Sequence, residues 1–321
     1  MNSDAPRRIH LYRPQNQLGD LLLNVPAIRA IRDRYPAAKL TLVVGPQNAP
    51  AVLGQAWADE IRVLRGRGAW AAVREALHVA PRPDLSVYFT TVSYSVSGAL
   101  LAARAGARQR IGFAPARYDR HDWAALTRAV PYPEGKLHQS EVSMTLARAA
   151  GAIAAPAPPH YVADPRLLSR APASVAYLHP GAGKIKNRWP VERFAEVAAA
   201  LAGRGLDVHV LEGPQDSGTA AALSACAGRE LPVVRGEAVP TLAARFARAA
   251  LYVGNDTGPL HLAGAVGCPT VGIYGWTDPD EWKPVGGQVR TVRAPDAKLE
   301  SVTVAMVLEA VAATLGEGVR V

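Results

Sequence analysis

The chain is 321 residues long, enough for two domains of ordinary size, and its 49% hydrophobic and 20% charged composition excludes a disordered or fibrous polypeptide. Its two cysteines, Cys226 and Cys268, stand far apart with no CxxC, which argues against a disulfide framework or a zinc site. The net charge of +9 is uneven, with +8 on residues 1–165 and +1 on residues 166–321, so an anionic partner suits the N-terminal half. The basic residues are scattered and carry no recognised nucleic-acid-binding motif, so nucleic acid is not the expected partner. The start, MNSDAPRR, lacks the apolar core of a signal peptide, and no apolar run approaches the roughly 18–20 residues of a membrane helix. A reduced cytoplasmic location, soluble or peripheral to a membrane, is the expectation.

In chain order, Arg8–Tyr12 reads as a first strand, followed by a turn-rich loop over 13–20 and a helix from about Leu21 to Arg34. Strands follow near 40–44, 61–64 and 85–89, with a helix at about 69–79 between the last two. Thr90–Ser97 is polar and follows a strand, so it lines a ligand site or caps a helix. Residues 117–138, rich in Arg, His and Tyr, read as a long loop or lid. Short apolar strands alternating with amphipathic helices imply a parallel sheet.

The Pro-rich stretch 154–168 marks a boundary, giving an expected division into residues 1–160 and 161–321. Beyond it the alternation restarts: strands at 175–178, 207–211 and 232–234, helices at 191–201, 219–225 and 241–248, and a last helix at about 302–315. Leu251–Tyr274 holds a strand, the turn Gly254-Asn255-Asp256-Thr257-Gly258, a helix opened by Pro259, and a further strand from Thr270. A strand, a glycine turn and a helix N-terminus together favour an anion, because free amides and the positive dipole end converge there. The expected architecture is two doubly wound Rossmann-like domains facing a central cleft.

Three loops could carry chemistry, and each follows a strand and precedes a helix. The first is Gly19-Asp20, where Asp20 is otherwise an N-cap. The second is HPGAGKIKNRWP, residues 179–190, whose glycines allow close approach and whose Lys184, Lys186 and Arg188 offer charge to a pyrophosphate. The third is the 254–258 turn.

The segments LYRPQNQLGDLLLNVPAIRAIRDRYPAAKLTLVVG, HPGAG with RWP, and GNDTGPLHLAGAVGCPTVGIYG with Thr277-Asp278-Pro279 resemble the motifs of the ADP-heptose:lipopolysaccharide heptosyltransferases, glycosyltransferase family 9. The resemblance implies a GT-B fold and an inverting glycosyltransferase that uses no metal or cofactor. ADP-heptose is the implied co-substrate, held mainly by the C-terminal domain. Carried over by motif, Asp20 is the general base, with Asn16, Gln17 and Gly19 on the acceptor-side loop. Gly181, Lys184, Lys186, Asn187, Arg188, Asp256, Thr257, Gly258, Pro259 and His261 fall at donor positions. Asn187 stands where the family commonly has a phosphate-contacting Lys. Glu212–Asp216 is a candidate ribose contact. The implied acceptor is an anionic glycolipid at the inner face of the inner membrane, with the lipopolysaccharide core foremost. Two alternatives share such a fold: a nucleotide-sugar epimerase or hydrolase, and a non-catalytic nucleotide-sugar-binding protein.

Overall fold

The computed structural model describes residues 5–64 and 82–316. The helix expected at 69–79 lies outside them. The chain forms two compact units, residues 1–157 and 158–321. Each holds a six-stranded sheet whose strand pairs are all parallel.

In the first unit the strands are β1 (Arg8–Arg13), β2 (Lys39–Val44), β3 (Glu60–Val63), β4 (Leu85–Tyr88), β5 (Gln109–Phe113) and β6 (Arg128–Val130), in the order β3-β2-β1-β4-β5-β6. In the second they are β7 (Val175–His179), β8 (Asp207–Glu212), β9 (Val233–Arg235), β10 (Leu251–Asn255), β11 (Thr270–Tyr274) and β12 (Val289–Arg293), in the order β12-β11-β10-β7-β8-β9. In both, the chain winds outward from a central strand, returns to its other side, and winds outward again. The reversal leaves a switch point between β1 and β4, and another between β7 and β10.

The central strands are buried on both faces, as parallel strands covered by helices must be. Every residue of β7, β10 and β11 is buried. Trp189, Phe194, Leu201, Val253 and Ile273 belong to the core of the second unit.

Several elements differ from the sequence expectation. The first helix runs Leu18–Arg34 with Gln17 at its N-cap position, so Asp20 lies in its first turn instead of capping it, and Pro26 falls at mid-helix. Helices Val96–Ala105 and Gln139–Ala149, and strands β5, β6 and β12, were not expected. The 117–138 stretch is not a free loop, since β6 runs through it and Tyr118 and Tyr132 donate their hydroxyls to the carbonyls of Thr90 and Thr91. Ser95 resolves the preceding polar segment as a helix cap, accepting from the Gly98 amide at 3.1 Å. Among the described residues no helix is long and apolar enough to cross a membrane.

Candidate functional site

In the second unit, both loops singled out in the sequence lie at the β7/β10 switch point. The register pairs His179 with Gly254, which sets the end of β7 beside the turn that follows β10. Gly254 is required there: a β-carbon would fall 3.0 Å from that of His179 and 2.8 Å from the Tyr252 hydroxyl.

Asn255 joins the two loops. It is fully buried; its amide donates to the carbonyls of Pro180 at 2.8 Å and Gly181 at 3.3 Å, and its Oδ1 accepts from the Trp189 amide at 3.0 Å. Trp189 is in turn anchored by its indole N–H to the Val302 carbonyl at 2.9 Å. Both ends of the 180–189 loop therefore hang on one side chain.

The turn after β10 opens the helix Gly258–Val266, with Thr257 as N-cap and Pro259 as the second helical residue. Pro259 has no N–H to offer, so the amides available at this end are those of Gly258 and Leu260. Thr257 makes no side-chain cap. Its hydroxyl lies 3.2 Å from His179 Nδ1 and 3.2 Å from the Asn255 carbonyl. His261, one turn in, is buried with its Nε2 3.7 Å from Asp256 Oδ1, and among the described residues its Nδ1 has no hydrogen-bond partner.

A third loop, after β8, completes the group. Asp216 is buried, accepting from His179 Nε2 at 2.8 Å and from the Gly213 amide at 2.5 Å. Gly181 makes this approach possible, because a β-carbon there would fall 1.5 Å from Asp216 Oδ2. What approaches Gly181 most closely is thus a carboxylate of the protein itself.

The cations divide by role. Arg188 braces the loop, donating through Nε to the Ala182 carbonyl at 2.9 Å and through Nη2 to that of Gln215 at 3.0 Å. Lys184 and Lys186 are exposed, and the Lys186 ammonium lies 4.1 Å from the centre of the Trp276 ring. Asn187 accepts from the Trp276 indole N–H at 2.8 Å. The residue at the family's usual Lys position therefore orients an indole.

Glu212, a candidate for the ribose, is engaged within the protein. Oε2 accepts from the amides of Gly218 and Ala220 at 3.0 and 2.9 Å, and Oε1 from Arg235 at 2.6 Å. Burial disfavours its ionised form, but the Ala220 amide, Arg235 and the Gly218 amide outweigh it and hold the carboxyl below its ordinary range. A carboxyl depressed in the folded state stabilises above its unfolded pKa, and that stability is lost as pH falls through the folded value. Glu212→Gln is accordingly expected to flatten the acid side of the melting-temperature profile, measured from neutral pH downward. An unchanged acid limb would show that the carboxylate contributes nothing.

In the first unit, Asp20 Oδ2 is held by Arg13 Nη2 at 3.1 Å. Arg13, at the end of β1, is buried and also donates to Gln15. Burial pulls its guanidinium below the ordinary value while Asp20 and Tyr88 push it back up. Asn48, fully buried, donates to the Gln15 carbonyl at 2.8 Å and to that of Gln17 at 3.4 Å, while Asn16 accepts from the Gln47 amide at 3.1 Å. The Gln15 amide spans to the Ser93 carbonyl at 2.9 Å, tying the loop after β1 to the loop after β4. Gly19 and Asp20 thus follow a fixed loop at this unit's own switch point. Among the described residues no group of three or more His, Cys, Asp or Glu is arranged to hold a metal ion.

The sequence reading placed Arg13 in the first motif, His179 and Asn255 in the second and third loops and Asp216 in the candidate ribose stretch, but missed the contacts that join them into these two clusters. Its one relevant signal was that the glycines of the 179–190 loop allow close approach.

Residues 90–310 match the model of glycosyltransferase family 9 (heptosyltransferase). The chain is 26% identical over 285 residues to lipopolysaccharide heptosyltransferase 3 of Escherichia coli, covering 83% of each chain. It superposes on a glycosyltransferase family 9 structure from Veillonella parvula DSM 2008 with a TM-score of 0.84 at 18% identity, covering 97% of this chain and 98% of that one. On the E. coli ADP-heptose lps heptosyltransferase II the TM-score is 0.79 at 20% identity, with 96% and 98% covered. The two doubly wound units are those of a GT-B fold.

Proposed function

The chain belongs to glycosyltransferase family 9, and on that premise we propose that it moves a heptose from ADP-heptose onto the core of a lipopolysaccharide. The observation that carries the donor half is the β7/β10 switch point, where the loops after two adjacent strands are cross-linked by Asn255 around an uncapped helix N-terminus. Amides and a helix dipole at that place suit a diphosphate. The names of the relatives supply the rest: one is a lipopolysaccharide heptosyltransferase, and another takes ADP-heptose.

In this reading the Asp20 carboxylate accepts the proton of the acceptor hydroxyl as that oxygen bonds to the anomeric carbon. The bond from that carbon to the diphosphate breaks on the opposite face, with inversion, and its electron pair leaves on the phosphate oxygen. The growing negative charge falls to the Gly258 and Leu260 amides and to Lys184 and Lys186, so the protein's own groups supply the compensation without a metal. Gly181, Asp256, Thr257 and His261 shape the donor site, Asn187 reaches it through Trp276, and Arg188 braces its loop. Asn16, Gln17 and Gly19 form the acceptor-side loop. The first unit takes the acceptor and the second the donor. The +8 charge of residues 1–165 fits a phosphorylated glycolipid at the inner face of the inner membrane.

A thermal-shift panel of ADP, GDP, UDP, CDP and dTDP tests the donor. At 100 times its dissociation constant a ligand stabilises by about 2.7 kcal/mol, so a shift specific to ADP is expected. A shift with another base alone would replace the sugar donor, and no shift with any nucleotide would remove the donor site. Release of ADP from ADP-heptose without acceptor, as fast as with it, would favour a hydrolase.

A further inference from the structure

We propose that His179 is a positioning residue that keeps Thr257 from capping its own helix, and so holds the amides of Gly258 and Leu260 open for the donor diphosphate. This rests on the reading of the second unit as the donor site.

A threonine at the N-cap ordinarily turns its oxygen to the amide of the second or third helical residue. Here Thr257 makes no such bond: its hydroxyl donates to the Asn255 carbonyl at 3.2 Å, and its Oγ1 stands 3.2 Å from His179 Nδ1. One oxygen cannot occupy both places. The chain behind it is fixed in order. Asp216 takes the Gly213 amide on one oxygen and His179 Nε2 on the other. A carboxylate only accepts, so His179 Nε2 carries a proton toward Asp216, and the ring held in this way sets Nδ1 against Thr257 Oγ1. The His179 and Asp216 side chains are each only 4% exposed, so water does not compete for these bonds. Two glycines are spent on the arrangement, Gly181 admitting Asp216 and Gly254 admitting His179. A helix end that only needed stability would use the threonine cap already in place.

The test separates the two nitrogens of His179. Glutamine places its amide where Nε2 stands and keeps the bond to Asp216, but does not reach Thr257. Asparagine reaches the Nδ1 position and keeps Thr257, but loses Asp216. ADP dissociation constants are measured by calorimetry for the wild type, His179→Gln, His179→Asn, Thr257→Val, and each His179 variant combined with Thr257→Val. His179→Gln is expected to weaken ADP by about fivefold to tenfold, the cost of displacing a recovered N-cap, while His179→Asn stays within about twofold of the wild type. With Thr257→Val the glutamine loss should vanish, because no hydroxyl remains to cap. Equal losses for Gln and Asn, or the same glutamine loss with and without the Thr257 hydroxyl, would overturn the proposal and leave His179 as a packing residue. If His179→Gln does not fold, the asparagine arm decides alone: near wild-type affinity supports the proposal, and a loss of fivefold or more overturns it. A wild type that binds no ADP would instead overturn the donor-site reading.

Discussion

Asp20→Asn is expected to slow heptose transfer by about 10²- to 10⁴-fold, the usual contribution of a general base, with ADP affinity unchanged within about twofold. Asparagine keeps the size of the side chain and an oxygen for Arg13 Nη2, so the ion-pair geometry at 3.1 Å is replaced by a hydrogen bond of the same reach. What it loses is the capacity to take a proton. The ADP contacts proposed above all belong to the second unit and Asp20 to the first, so a separation of rate from nucleotide binding is the signature of the base. Asp20→Ala is a different experiment, because it also strips a buried guanidinium of its carboxylate. An unpartnered buried charge is costly, and the alanine variant should melt lower than the asparagine variant. The measurements are initial rates with ADP-heptose and a heptose-deficient acceptor, ADP calorimetry, and melting temperatures. An asparagine variant with full transfer activity would remove Asp20 from the reaction.

The parts of this molecule that could be read from its sequence are those with local signatures. Buried parallel strands such as LTLVV and LYVGN announce themselves as unbroken apolar runs. Strands β6 and β12 did not, because they are edges: RAV and VRTVR expose their arginines to solvent and look like loop. The helix Val96–Ala105 was hidden by a different cause. Its start is the polar VSG after TTVSYS, and only the Ser95 cap, which needs coordinates to be seen, tells a helix from a loop there.

The candidate site divides in the same way. The loops after β7 and β10 were visible because each carries glycine, charge and a helix start within a dozen residues. Asp216 was legible only as the end of the candidate ribose stretch 212–216; its pairing with His179 was not, since it comes from a third loop, 37 residues further on, and no spacing rule relates the two. Glu212 shows the converse. A carboxylate at the end of a strand resembles a ribose ligand, yet here it satisfies two helix amides and an arginine. Arg13 lies seven residues before Asp20, and only the fold of the intervening loop, held by Asn48, brings them into contact.

Asn255→Ala carries the second large effect, and it falls on stability. The substitution leaves the Trp189 amide and the Pro180 carbonyl without their partners at a site from which solvent is excluded. Each orphaned group costs on the order of 1–3 kcal/mol, so a loss of about 3 kcal/mol is expected. For a unit of this size that corresponds to a fall of about 6–12 °C in melting temperature. Asn255→Asp does not repair it, because a carboxylate satisfies Trp189 but turns its second oxygen against the carbonyls of Pro180 and Gly181. The two variants should therefore both melt low. The loss should also reach the ligand, since the same side chain fixes both ends of the 180–189 loop that carries Lys184 and Lys186, and ADP should weaken in step with stability. A variant that melts within about 2 °C of the wild type would mean that the backbone alone holds the loops together, and that Asn255 is not the cross-link between them.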